Sequence, residues 1–245
     1  MMRPVGPLLL RSALAIGGLV ALASLATRAP AELRYRTTGD DVYAVGTAPP
    51  THILYTGTQS LTLSPQGSAI RFVAQADCTR DAGGVRTPEH ARFVQDLLAN
   101  GVFEDRADED PDFLTVLNQP FAIRLDAATV ADLQSLHEAV PFTAASPVGG
   151  GDLRGALRPG ISGTLQGRPV VGVQFQAQGT IDGPVPGRVT ATIRGRIHLD
   201  GTAYYGTREA LLLALDARLT IEGALAMHRA ATPVRIVYNR SIKIL

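Results

Sequence analysis

The chain has 245 residues, 23 Lys+Arg against 22 Asp+Glu, a formal net charge of +1 and one cysteine. That balance leaves no basic footprint for nucleic acid. A lone cysteine excludes an internal disulfide, and the length suits one sizeable hydrophobic core.

At the N-terminus, Arg3 and Arg11 precede the apolar run Ser12 to Ala26, and Ala29-Pro30-Ala31 precedes Glu32. That order is the signature of a secretory signal peptide. The run falls short of the roughly 20 apolar residues that span a bilayer, and Gly17 and Gly18 make it a poor buried helix. Residues 1–31 are therefore expected to be a signal peptide and residues 32–245 a single β-rich domain, exported to the periplasm or beyond. Contact with a membrane would come only through an uncleaved signal. Removing Arg3, Arg11 and Arg28 would bring the formal charge to −2. Lipidation after the signal is excluded because the cysteine is Cys78, which ends an alternating apolar run and reads as a small core residue.

Short extended segments, Leu33 to Thr37 and Asp41 to Gly46, come before a Pro49-Pro50 break. Residues 53–64 and 68–78 then form a hairpin about Pro65-Gln66-Gly67, with Ile70, Phe72, Ala74 and Ala76 alternating with more polar neighbours. Thr87 can cap a helix with Pro88 at its first position. Phe93, Val94, Leu97 and Leu98 would form its apolar stripe before Asn100-Gly101. An acidic loop and a strand over residues 121–125 follow. Asp126 then caps a second predicted helix carrying Val130, Leu133 and Leu136, which Pro141 stops.

The last hundred residues hold four long segments of period 2. Val171, Val173, Phe175 and Ala177 share one face of the first. Val189, Ala191, Ile193, Ile197 and Leu199 share one face of the second, after Gly183-Pro184-Val185-Pro186-Gly187. Leu211, Leu213, Leu215, Leu219 and Ile221 oppose Asp216, Arg218, Thr220 and Glu222 in the third. Val234, Ile236, Tyr238, Ile242 and Ile244 line the fourth, with Arg240 as a polar interruption. These read as an antiparallel meander with one apolar face to cover. The predicted fold is mainly β (α+β): a long curved antiparallel sheet, or half-barrel, covered by about two helices.

The order of signal peptide, hairpins, helices and C-terminal meander, together with Gly201-Thr202-Ala203-Tyr204-Tyr205 followed by Leu211 to Gly223, is similar to the half-barrel carriers of the bacterial envelope, the lipoprotein-localisation proteins. The resemblance implies an apolar cavity for acyl chains and no catalytic residues.

Catalytic and metal motifs fail on spacing. His137-Glu138-Ala139-Val140-Pro141 has proline where the zinc-protease pattern needs its second histidine. Ser162 has Gly160 before it but Thr164 where a nucleophile elbow needs glycine. Gly149, Gly150, Gly151 and Gly155 fit no phosphate or dinucleotide loop and read as a flexible turn. His52, His90, His198 and His228 show no ligand spacing. Glu104, Asp105, Asp108, Glu109, Asp110 and Asp112 form an acidic cluster, and Asp108, Asp110 and Asp112 are its calcium candidates. Phe113 and Gln119 stand where an EF-hand needs glycine and glutamate, so the segment reads as a solvated loop. Asn239-Arg240-Ser241 is a formal glycosylation sequon, but it lies on a predicted strand and carries no weight.

Three functions are consistent with these residues. The first is an exported carrier that holds an apolar small molecule or lipid without catalysis or cofactor, with Phe175, Ile193, Leu213, Ile236 and Tyr238 facing the ligand. The second is a structural or assembly protein of the envelope that docks a protein partner through its sheet. The third is a hydrolase whose dispersed residues, such as Asp126, His137 or Tyr204, meet in space. An open apolar interior would favour the first and a filled one the second.

Overall fold

A computed structural model describes residues 31–67, 69–97, 103–109, 114, 127–135, 137–146, 152–185, 188–208, 211–227 and 230–245. The N-terminal meander consists of β1 (Ala31–Val45), β2 (Thr51–Gln66), β3 (Ala69–Ala82) and β4 (Val85–Leu97), with β5 (Phe103–Glu109) at its edge. Helix α1 (Ala127–Gln134) leads into β6 (Val140–Ala145), β7 (Asp152–Pro159) and the short β8 (Gly163–Leu165). The C-terminal meander is β9 (Arg168–Val185), β10 (Arg188–Gly206), β11 (Leu212–Met227) and β12 (Ala230–Ile244).

All twelve strands join one open antiparallel sheet in the order β5-β4-β3-β2-β1-β12-β11-β10-β9-β7-β6, with β8 on the side of β9. Strands β1 and β12 pair from Tyr35↔Ile244 to Val45↔Val234. The first and last strands therefore meet in the middle of the sheet and weld the two meanders together.

Alternation decides which face is buried. On β2, Ile53, Tyr55, Gln59, Leu61 and Leu63 are buried while the intervening residues are more accessible. On β12, Val234, Tyr238, Arg240, Ile242 and Ile244 are buried on the same face, with Val237 also buried on the other. The buried face carries a large cluster that runs from Phe72 and Phe93 through Tyr35 and Leu219 to Phe175 and Leu157. A second, smaller cluster of Ile53, Tyr55, Ala76, Cys78 and Ala91 is completed by Leu114.

Several expectations are corrected. Residues 87–100 were expected to be helical, yet residues 85–97 are strand β4, laddered to β3 from Ala82↔Val85 to Ile70↔Leu97. Ala91, Phe93 and Gln95 point inward with period 2. Pro88 is tolerated because, among the described residues, β5 pairs only within residues 92–97 and none lies beside residue 88 on that side to need its missing N–H. Only one of the two helices therefore stands among the described residues. It is short, its contacts are with β9, and Leu133 packs on the core. Two helices covering a concave face are not what these residues form.

Pro141 lies inside β6, opposite Ala156, and does not mark a helix stop. The two short N-terminal segments are one continuous strand, β1. Gly155 is in β7, opposite Ala177, rather than in a turn. Part of the expected acidic loop is edge strand β5, which contains Asp108, while Asp110, Asp112 and the strand expected at 121–125 lie outside the described residues. Among the described residues no helix is long and apolar enough to cross a membrane.

Candidate functional site

The residues expected to face a ligand lie together on the inner face of the C-terminal meander. Phe175, Ile193, Leu213 and Tyr238 are 2%, 3%, 0% and 5% exposed and belong to the main core cluster, and Ile236 packs against it half-buried. Cross-strand pairing explains the convergence, since Tyr238 opposes Leu219, and Ile236 opposes Ile221, which opposes Ile197. Their side chains fill the interior against one another.

One feature of that interior was visible in the sequence only as the interruption at Arg240. Its guanidinium is 2% exposed and grips the carboxylate of Asp41 with both nitrogens: Nη1 donates to Oδ1, and Nη2 donates to Oδ2 at 3.0 Å. Nη1 also donates to the Asn239 carbonyl at 2.8 Å. The cation lies 5.2 Å from the Tyr55 ring centre and 5.7 Å from that of Tyr238, which meets Tyr43 edge-on at 5.9 Å. Burying two charges is tolerated only with such partners. Deeper still, burial pushes the Tyr35 and Tyr205 phenols well above their ordinary range, so both stay protonated. Tyr35 donates to the Leu212 carbonyl at 3.1 Å.

The sheet's outer face carries a groove. Two outward rows run across the strands: Thr38, Ser241, Asp216, Thr202 and Gln174, and beside them Asp40, Asn239, Arg218, Asp200 and Gln176. On β7, Arg158 and Ala156 continue the two rows. Between them lies the inward row Gly39, Arg240, Ala217, Gly201 and Phe175.

Two glycines let neighbouring groups approach this row closely. A Cβ at Gly201 would overlap the Asp216 carbonyl oxygen and come within 2.6 Å of Phe175 Cζ. One at Gly39 would come within 2.7 Å of Arg240 Nη1. Each glycine faces an aromatic residue on the neighbouring strand, Phe175 opposite Gly201 and Tyr55 opposite Gly39. The two outward rows stand on either side of this inward row.

The resulting depression has a volume of about 470 Å³ over β1, β12, β11 and β10, and about 460 Å³ over β10, β9 and β7. The two segments share Asp200, Gly201 and Thr202. Each volume falls within the range of small-molecule sites, roughly 300–1,000 Å³. Six strands at about 4.8 Å spacing give a length of roughly 24 Å. The lining mixes polar groups, carboxylates at Asp40, Asp200 and Asp216, guanidinium groups at Arg158 and Arg218, and amides and hydroxyls, with an apolar floor at Gly39, Gly201, Ala217, Ala156 and Phe175.

Three histidines each meet one carboxylate. His90 Nδ1 lies 2.6 Å from Asp77, His52 Nδ1 3.4 Å from Asp40, and His198 Nε2 3.4 Å from Asp200. No group of three metal-ligating side chains occurs among the described residues. His137 is exposed on the segment after α1, while Asp126 and His228 lie outside the described residues. Tyr204 is half-buried on the outer face of β10, beside Gly172 of β9.

The sequence reading missed the groove because its residues are only the polar halves of alternating strands, two positions apart on each, and the ladder register alone brings them into line. No protein-family model matches this chain, and no curated protein matches it in sequence.

Proposed function

We propose that this is an exported envelope protein that binds without chemistry and docks its partner on the outer face of its sheet. The observation that carries this reading is how the two faces are used. The inner apolar face is occupied by its own side chains, with Leu213 and Leu219 fully buried, while the outer face opens a long groove flanked by rows of polar side chains. A carrier of an apolar ligand would instead need Phe175, Leu213 and Tyr238 to part and admit it.

The test places a photo-crosslinking amino acid at Thr38, Thr202 or Gln174, with Arg194 as an outer-face control beyond the groove, in cells that export the protein. Adducts at the three groove positions and none at 194 are expected. Absence of groove adducts would sink the docking reading, and a stoichiometric lipid in a solvent extract of the purified protein would put the carrier in its place.

A further inference from the structure

We infer that the outer-face groove takes a neutral, hydroxyl-rich oligomer, an oligosaccharide strand laid across β1, β12, β11, β10, β9 and β7. This rests on the docking reading above and names its ligand class.

The chemistry of the lining selects by elimination. Asp40, Asp200 and Asp216 stand along the groove and repel a polyanion, so nucleic acid and acidic polymers fit poorly. Arg218 and Arg158 stand among the same carboxylates and oppose a polycation. An extended peptide usually gains affinity by adding to a sheet edge. Here β1, β12, β11, β10 and β9 have neighbours on both sides, so their ladder hydrogen bonds are already made.

What remains is a ligand that both donates and accepts at short intervals and carries no net charge. Sugar hydroxyls meet that description. The carboxylates accept from them, the guanidinium groups donate to them, and Asn239, Gln174, Gln176, Thr202 and Ser241 can do either. Charge-assisted hydrogen bonds of this kind are roughly twice as strong as neutral ones. The groove's length calls for an oligomer rather than one sugar.

Isothermal titration calorimetry of the full exported protein against cellohexaose, maltohexaose, laminarihexaose and chitohexaose tests this. The comparators are hexagalacturonate and a neutral Gly-Ser peptide. At least one neutral hexasaccharide should bind one per chain, at least tenfold tighter than its disaccharide. Asp216→Ala and Thr202→Val should each weaken it tenfold or more, and Arg194→Ala should leave it unchanged. If no neutral hexasaccharide binds while groove crosslinks persist in cells, the ligand class is wrong and the docking site stands. If crosslinks are absent as well, the docking reading falls with it. Binding that ignores Asp216→Ala and Thr202→Val would overturn the groove as the site.

Discussion

The two meanders share one sheet but are stabilised by different means. The C-terminal half, β9 to β12, buries Val173, Phe175, Ile193, Ile197, Leu199, Leu213, Leu215, Leu219 and Ile221, and Arg240 is its one buried charge among the described residues. The N-terminal half, β1 to β4, buries Thr37, Asp41, Gln59, Gln95 and Asp96 beside its apolar residues. The half that coheres by apolar burial supplies the arginine that neutralises Asp41 in the other. Stability of the N-terminal half is thereby coupled to β12 through an ion pair as well as through the β1–β12 ladder.

The most direct way to break that coupling is Arg240→Met. Losing one member of a buried pair strands the other charge, and the expected loss is about 3–5 kcal/mol in urea unfolding. Adding Asp41→Leu to Arg240→Met should restore most of it, because an apolar replacement of a buried pair is often neutral. Cys78 offers a local reporter: it is 6% exposed on β3, inside the smaller cluster with Tyr55. Its thiol labelling should speed up in Arg240→Met and slow again in the double variant. A loss under about 1 kcal/mol would mean that Asp41 is rescued by water, and the coupling would not exist.

Leu213→Ala sharpens the comparison from the other side. Leu213 is fully buried, and a cavity there should cost about 3 kcal/mol. Cys78 labelling should rise only as far as the global loss predicts, since no charge is stranded beside the N-terminal cluster. Labelling that outruns global unfolding would show that the N-terminal half leans on the C-terminal core by packing and not chiefly through Arg240.

The same contrast explains what the sequence made legible. Alternation in β9, β10, β11 and β12 lasts long enough for period 2 to exclude a helix, so the meander and its inward residues can be read directly. In the sequence the cluster Phe93, Val94, Leu97 and Leu98 fits a helical stripe as well as Ala91, Phe93 and Gln95 fit a strand. Only the ladder from β4 to β3, a contact between distant parts of the chain, decides between them. Thr87-Pro88 adds a convincing helix start, and nothing local reveals that Pro88 will sit in a strand. Arg240 was visible as an interruption, but its partner Asp41 is 199 residues away. The groove needs the register of six strands, which neither composition nor spacing encodes.

The smallest expected effect is a dependence on pH, and it belongs to the N-terminal half. On its outer face Arg71 holds Asp96 with two hydrogen bonds, at 2.8 and 2.7 Å. The Asp96 side chain is 8% exposed and that of Arg71 37%. The hydrogen bond from Arg71 lowers the Asp96 pKa below its ordinary value, and this outweighs desolvation, which acts in the opposite direction. Because the folded-state pKa is depressed, the pair's contribution is complete above the unfolded value of about 3.9 and fades as pH falls through the folded one. Asp96→Asn should therefore cost about 1 kcal/mol at pH 7, and the difference from the parent protein should shrink below about pH 4. Asp81, lowered by its hydrogen bond to Arg86, belongs to the same half but to a more exposed pair, which salt screens. On the C-terminal half, Arg194–Asp182 and Arg235–Glu222 are each more than half exposed, and pairs of that kind contribute little. Asp182→Asn and Glu222→Gln should accordingly each cost under about 0.5 kcal/mol at pH 7. A loss from either that exceeds the loss from Asp96→Asn would reverse the assignment of charge to the N-terminal half and of dry packing to the C-terminal half.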